Sequence, residues 1–294
     1  MKVGVYGKFY QEDADGYIIT LLDELVKRNI EIYIEEGYQE EFNKQLNLTT
    51  NYPTFSSFTD LDTSFDLFIS VGGDGTILRT VLYVRDLNIP ILGINTGRLG
   101  FLATVQNNEI TKAIEAIILE DYDIVERSLL QIETNPPSNV FADLNFALNE
   151  IAVSRKNTTS MITVKTLLDG EYLTSYWADG LIVSTPTGST GYSLSCGGPV
   201  ITPENKSFVV TPIAPHNLNA RPLVIPDKTE IRFEVSGREE DFLVSLDSRI
   251  NTLDNGTEVI IKKAPFTIKM IELNYESFLQ TLRNKLLWGE DRRN

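Results

Sequence analysis

At 294 residues the chain has room for about two domains of roughly 150 residues, each large enough to bury a core. Its 26 Lys and Arg stand against 41 Asp and Glu, a formal net charge of −15. Such a field repels polyanions, which argues against DNA, RNA and anionic membranes as partners and leaves small anionic ligands held by backbone N–H groups and a few arginines.

Taken in order, Lys2 to Tyr6 reads as a short strand, and Asp15 then caps a helix whose apolar face is Ile18, Leu21, Leu22, Leu25 and Val26. Glu31 to Glu35 alternates as a strand does, Asn47 to Asp62 is polar and reads as a loop, and Asp66 to Val71 has the run of a buried strand. After a Gly-rich turn, Ile77, Leu78, Val81, Leu82 and Arg85 return to helical spacing, Ile89 to Ile94 is another strand, and Ile110, Ala113, Ile114 and Ile117 mark a further helix. Strands alternating with helices predict a parallel sheet covered on both faces. Beyond about residue 122 the texture becomes β-branched and aromatic, with expected strands at 122–133, 145–155, 162–168, 172–177, 181–184, 230–235, 242–246 and 258–263. Phe278, Leu282 and Leu286 recur every four residues as a last helix, expected to return to the first domain. The expected fold class is an α/β domain with a Rossmann-like parallel sheet (1–105, joined by 272–294) and a mostly β domain (106–271).

The chemistry available is restricted. One cysteine, Cys196, allows no internal disulfide, and with one histidine, His216, the usual Cys and His zinc shells cannot be built. Proton transfer therefore falls more readily to a carboxylate than to an imidazole. The start, MKVGVYGKFY, has no apolar stretch behind a basic one, and the chain has no apolar run of 18 residues, so a cytoplasmic, reducing location is expected.

Gly72-Gly73-Asp74-Gly75-Thr76 lies between a predicted strand and a predicted helix. A helix N-terminus there offers unpaired N–H groups to phosphate, and glycines let the phosphate approach. A carboxylate in such a loop repels the ligand unless it has a task, and accepting the proton of a hydroxyl that attacks phosphorus is one. The residues also fit a tight turn with Asp74 as its local cap. Gly7-Lys8 is followed by Phe9, so this is no Walker A loop. A second turn, Asn95-Thr96-Gly97-Arg98-Leu99-Gly100-Phe101-Leu102, follows the next strand, where Arg98 either neutralises a shared crevice or faces water. The third feature is the hydroxyl- and glycine-rich run from Asp179 to Pro199, including Thr187, Thr190, Gly191, Tyr192, Ser193, Leu194 and Ser195. These are components for holding a nucleoside, or an ordinary Ser/Gly loop. Asn149-Glu150 suits ribose hydroxyls or a surface turn equally.

Taken together, VGGDGTILR, NTGRLGFL, LNEIAVSR, ADGLIVSTPTGSTGYSLSCGGPVITP, PIAPHNLNARPLVIPD and SLDSR resemble the NAD kinase family in order along most of the chain. GGDG alone is shared with diacylglycerol, sphingoid and phosphofructose kinases; the long block from Asp179 is far more specific. The resemblance implies transfer of a phosphoryl group, from ATP with a divalent cation such as Mg²⁺, to the 2′-hydroxyl of the adenosine ribose of NAD, giving NADP. It implies Asp74 as proton acceptor, Gly75 against the ligand, and Gly72, Gly73, Thr76, Gly97, Arg98 and Gly100 around phosphate. It further implies NAD contacts from Arg79, Asn149, Glu150, Asp179, Thr187, the stretch Thr190 to Ser195, and Arg249, in a homodimer or homotetramer. Trp177, Ser160, Gly191 and Cys196 depart from common family residues and bear on pocket detail. Cys196 reads as a packing residue and His216 as a structural hydrogen bonder. A lipid or sphingoid kinase and a non-catalytic NAD(P) sensor are the alternatives; the acidic balance and the absence of a basic amphipathic helix count against the first, and a retained Asp74 against the second.

Overall fold

The computed structural model describes residues 1–8, 15–157, 160–275 and 277–287. The chain forms two compact units, Met1–Glu126 together with the segment from Ile268 on, and Arg127–Thr267. The sequence reading sets these limits at 105 and 272. The first unit runs on to Glu126 because it takes in the helix at Ile110–Ile118, which supplies part of its core.

The first unit contains β1 (Lys2–Gly7), α1 (Asp15–Lys27), β2 (Glu31–Glu35), α2 (Glu36–Leu46), β3 (Thr54–Phe55), β4 (Leu67–Val71), α3 (Asp74–Val84), β5 (Ile91–Ile94) and α4 (Ile110–Ile118). Its sheet is parallel throughout, in the order β3-β2-β1-β4-β5. Every residue of β4 and β5 is buried, as expected of strands with helices on both faces. On one face Ile18, Leu21, Leu22 and Leu25 of α1 pack with Ile110, Ala113, Ile114 and Ile117 of α4 over Val3, Val5 and Ile69. Val26, expected on that face, is exposed; one more residue of rotation carries it past the apolar stripe. The capping role expected of Asp15 concerns a side chain outside the described residues. The polar stretch 47–62 is not all loop, since β3 and a one-turn helix at Phe58–Asp60 lie in it.

The second unit contains β6 (Tyr122–Asn135, entering from the first), β7 (Phe146–Ala147), β8 (Glu150–Ser154), β9 (Ile162–Leu168), β10 (Glu171–Ala178), β11 (Gly180–Ser184), the single turn α5 (Tyr192–Ser195), β12 (Ser207–Ile213), β13 (Leu223–Pro226), β14 (Ile231–Ser236), β15 (Asp241–Leu246) and β16 (Arg249–Asp254). One antiparallel sheet runs β13-β12-β11-β8-β15-β16, and a second antiparallel run, β10-β9-β14, continues onto the first part of β17 (Glu258–Leu273), which pairs with β14. Val153, Val183 and Phe242 of the one share a core with Val164, Phe233 and Ile261 of the other. The end of β17 returns to the first unit, where Met270 pairs in parallel with Ile91, and α6 (Phe278–Leu286) follows.

Candidate active site

In an open parallel sheet, ligands gather beyond the carboxyl ends of the strands, near where the strand order reverses. In the first unit that is the region beyond β1, β4 and β5. The chain leaves β4 at Val71, turns through Gly72 and Gly73 and enters α3 at Asp74. Gly72 sits at φ +153°, and a Cβ there would stand 2.2 Å from Thr76 Oγ1, so the turn itself requires glycine. Gly73, Gly75 and, after β5, Gly97 are different, because nothing lies within 4 Å of where their Cβ atoms would be. With Thr76, Asn95, Thr96 and Arg98 they line a cavity of about 230 Å³. Packing within the chain gives no reason for bare backbone at those three positions; a ligand that must come close to the backbone does. No side chain caps the start of α3, and Thr76 Oγ1 is buried without a partner. The helix therefore turns N–H groups and the positive end of its dipole toward this space.

Asp74 does not cap its own turn. Its Oδ2 accepts the N–H of Phe101 at 2.9 Å, and Oδ1 accepts those of Leu102 and Ala103 at 3.0 and 3.1 Å. The carboxylate thus ties the first glycine loop to the second. Gly100 is part of that fit, since a Cβ there would lie 1.9 Å from Asp74 Oδ1. Asn95 holds the same loop from inside, donating to the carbonyls of Arg98 and Ala103 at 2.9 and 3.0 Å and accepting from Gly97 N at 2.7 Å. From α6, Lys285 Nζ reaches within 3.8 Å of Asp74 Oδ2 and stands 5.0 Å from the centre of the Phe101 ring. Oδ2, with one backbone donor to the two of Oδ1, is the oxygen better placed to meet a further hydroxyl. Arg98 is exposed at the cavity wall, whereas Arg79 is exposed on α3 and does not line it.

The second unit carries a comparable arrangement. Asp247, in the two-residue turn between β15 and β16, adopts φ +52°. Its Oδ2 accepts the N–H of Leu148 at 3.0 Å, its Oδ1 those of Asn149 and Glu150 at 2.8 and 3.2 Å, and its own N–H donates to Glu150 O at 3.0 Å. Asn149 Oδ1 and Glu150 Oε2 are buried with no partner. Gly191 stands in front of them, where a Cβ would lie 3.1 Å from Glu150 Oε2 and 3.5 Å from Asn149 Nδ2. Burial, helped by the charge of Asp247, pushes the Glu150 carboxyl up to about 8, against the N–H of Tyr192, which lowers it. At pH 7 this carboxyl is therefore mainly protonated, able to donate as well as accept.

The hydroxyl-rich run is less open than its composition suggests. Thr185 Oγ1 donates to Leu148 O at 2.6 Å and accepts from Gly188 N at 3.0 Å, and Ser189 Oγ donates to Pro186 O at 2.6 Å. Thr190 Oγ1 donates to Thr187 O at 3.1 Å, Ser193 Oγ lies 2.8 Å from Thr211 Oγ1, and Thr187 is buried. Gly191, Tyr192, Leu194 and Ser195 keep accessible surface. Asp179 pairs with Arg155 at 2.9 Å, and the Arg249 guanidinium donates to the carbonyls of Leu144 and Phe146. Burial raises the Cys196 thiol, with Glu150 adding to it, which suits packing rather than attack. The backbone N–H of His216 donates to Trp177 O at 2.8 Å, and its ring lies 4.4 Å from that of Trp177.

Sequence reasoning overlooks Asn95 as a brace, Lys285 and Asp247. For Asp247 a signal was present: an acid at the tip of two alternating runs, in SLDSR, reads as a hairpin turn. Among the described residues no three Asp, Glu, His or Cys side chains gather so as to hold a metal ion, and no helix is long and apolar enough to cross a membrane.

Comparison with known proteins follows the same two halves. A family model described as the ATP-NAD kinase N-terminal domain matches residues 3–122, and one for the ATP-NAD kinase C-terminal domain matches 148–273. The chain is 61% identical to the NAD kinase of Christiangramia forsetii and 58% identical to that of Flavobacterium psychrophilum, each over 294 residues and 100% of both chains. Among solved structures, an Archaeoglobus fulgidus NAD kinase in complex with ATP matches with a TM-score of 0.74 at 26% identity, covering 98% of this chain and 99% of that one. Yeast NADH kinase complexed with NADH matches in fold, with a TM-score of 0.87 at 23% identity over 99% of this chain and 88% of that one.

Proposed function

The chain belongs to the NAD kinase family, and from that premise we propose the parts its residues play in phosphorylating NAD. The reaction joins the 2′-oxygen of the adenosine ribose to the γ-phosphorus of ATP, breaks the bond from that phosphorus to the β-γ bridging oxygen, and yields NADP and ADP. The hydroxyl proton passes to Asp74 through Oδ2. A carboxylate bound by three N–H groups is a weak base, which serves where the proton leaves late and position counts for more than basicity.

The observation that carries this reading is the cavity at the head of α3, walled by bare backbone at Gly73, Gly75 and Gly97. Its N–H groups, with Arg98, suit phosphate in a chain whose overall charge does not. The unpartnered oxygens of Asn149 and Glu150 suit the hydroxyls of a ribose, with Tyr192 offering an aromatic face. A divalent cation bound to the nucleotide phosphates would offset part of their charge beside the N–H groups of this cavity and Arg98. Gly72 and Thr76 shape the loop, while Thr187, Thr190 and Ser193 shape the pocket wall through their internal bonds; Asp179, with Arg155, and Arg249 position neighbouring backbone, and Arg79 meets the ligand only from outside the cavity lining. Assembly as a dimer or tetramer belongs to the same reading.

A sensor without catalysis loses less ground than the sequence implied, because the N–H groups of Phe101, Leu102 and Ala103 give Asp74 a structural reason to be there. Family membership over both halves is what favours the kinase, and it also displaces the lipid kinase, which shares only the Gly72–Thr76 loop. The test is purified protein with NAD, ATP and Mg²⁺, the product read by an NADP-specific dehydrogenase. NADP formation supports the reading; binding of NAD without turnover overturns it.

A further inference from the structure

Asp247 is half-buried at its turn, and it holds the two residues whose side-chain oxygens are buried without partners. Its carboxylate takes the consecutive N–H groups of Leu148, Asn149 and Glu150 and its N–H returns a bond to Glu150 O, so four hydrogen bonds between 2.8 and 3.2 Å fix this strip of backbone. Consecutive peptide N–H groups that converge on one acceptor are otherwise left for water or a ligand. The cost is a second acid close to Glu150: burial raises the Asp247 carboxyl, with the N–H donors and Arg249 acting the other way. A hairpin turn needs no such residue, since Asn or Gly serves at a positive φ. What the carboxylate adds over Asn is acceptors for all three N–H groups and a negative charge beside Glu150.

We propose that Asp247 is a positioning residue for NAD: by clamping Leu148 to Glu150 it aims the unpartnered Asn149 Oδ1 and Glu150 Oε2 at the ligand. This rests on the reading that Asn149 and Glu150 meet the ribose. The clamp also sets the character of Glu150. Besides burial, the groups that act on its carboxyl are Asp247, which raises it, and the N–H of Tyr192, which lowers it; Glu150 in turn raises the Tyr192 phenol and the Cys196 thiol. The phenol and the thiol are both raised from ordinary values of 10.0 and 9.0, above the value of about 8 for Glu150, and Glu150→Gln separates the titration of Glu150 from that of Asp247, which is also raised.

The experiment is NAD binding to the full-length enzyme by calorimetry across about pH 6 to 9, for wild type, Asp247→Asn and Glu150→Gln, with the KM for ATP measured beside it. Asparagine keeps the φ of the turn but offers one acceptor oxygen where there were two, and no charge. The expected result for Asp247→Asn is NAD binding weaker by about tenfold, a KM for ATP within about twofold of wild type, and a break in the pH profile displaced downward by about one unit. Glu150→Gln has no break. Should Asp247→Asn fail to fold in a thermal melt, Asp247→Ser, which keeps one acceptor without the charge, takes its place. Wild-type affinity in the Asp247 variant, or an even loss at every pH with the break unmoved, overturns the role given to Asp247. Unchanged NAD affinity in Glu150→Gln overturns the ribose reading instead, and the inference with it.

Discussion

Two carboxylates hold two loops by the same device in different surroundings. Asp74 gathers the N–H groups of Phe101, Leu102 and Ala103, and Asp247 those of Leu148, Asn149 and Glu150. Each takes two donors on one oxygen and one on the other. Asp74 stands at the head of a helix, its side chain 29% exposed, with Lys285 nearby and its chain neighbours Gly73 and Gly75 lining the cavity. Asp247 lies under a hairpin tip with Glu150 against it, and burial keeps that neighbour protonated. The difference is in the neighbour. Both carboxylates are half-buried with a cation close by, but only Asp247 has a buried acid, Glu150, against it, and there a clamp also constrains the charge of the acid it holds.

Replacing the chemical oxygen tests the first clamp most directly. Asp74→Asn is expected to lower kcat by at least about 10²-fold with NAD affinity near wild type, in the coupled NADP assay. Near-normal turnover would remove Asp74 from proton transfer and leave it the same structural part as Asp247. Gly100→Ala strikes the fit around that carboxylate, where the new methyl would meet Oδ1 at 1.9 Å. A loss of about 1–3 kcal/mol in urea unfolding is expected, along with reduced activity. Gly97→Ala meets nothing within 4 Å, so its unfolding midpoint should hold while nucleotide affinity falls by about tenfold. Equal behaviour of the two alanine variants would erase the distinction between a glycine required by the fold and one required by a ligand.

Glu150→Gln sharpens the contrast from the buried side. The Glu150 carboxyl rises from an ordinary 4.5 to about 8 in the folded chain, so its proton stabilises the native state fully below 4.5, and that stabilisation is lost as pH climbs toward 8. Wild type should lose stability across that window at about 1 kcal/mol per pH unit from this group. Glu150→Gln should flatten the slope, as read from urea midpoints between about pH 5.5 and 8.5.

Much of the scaffold was legible because its elements are periodic: Ile110, Ala113, Ile114 and Ile117 on α4 announce one buried face, and on α3 Ile77 and Val81 are buried as read, although Leu78, Leu82 and Arg85 are only partly so and Val84, not read, joins the face. The α2 helix was not, since only Tyr38, Gln39 and Phe42 are buried in it, and Gln39 is there as a polar brace bonded to the Tyr52 backbone in both directions. The strand β12 was not among the expected strands: Ser207, Thr211 and Pro212 interrupt its apolar run, and Thr211 is buried against Ser193. In the site, the glycine loops and the Asn149-Glu150 pair stood out in the residues themselves. The clamps did not, because Asp74 is 27 to 29 residues from its donors and Asp247 is 97 to 99 from its own. Local pattern carries no trace of a bond that long. The same distance explains why Arg249, a free cation on paper, is engaged with the carbonyls of Leu144 and Phe146.

Because β5 is joined on one side to β4 and on the other to β17 through Met270, synthesis of the chain imposes a wait. A nascent polypeptide that has left the ribosome as far as Glu126 has made β1 to β5, and Val105 already bonds to Gly93 and Asn95 along the far edge of β5, but Ile91 still lacks its partner Met270. The whole of Arg127 to Thr267 must be translated before the missing strand arrives. The order of the chain therefore makes the unit with the cavity the last to be finished, and a chain that stops within the second unit leaves the Ile91 end of that edge uncovered.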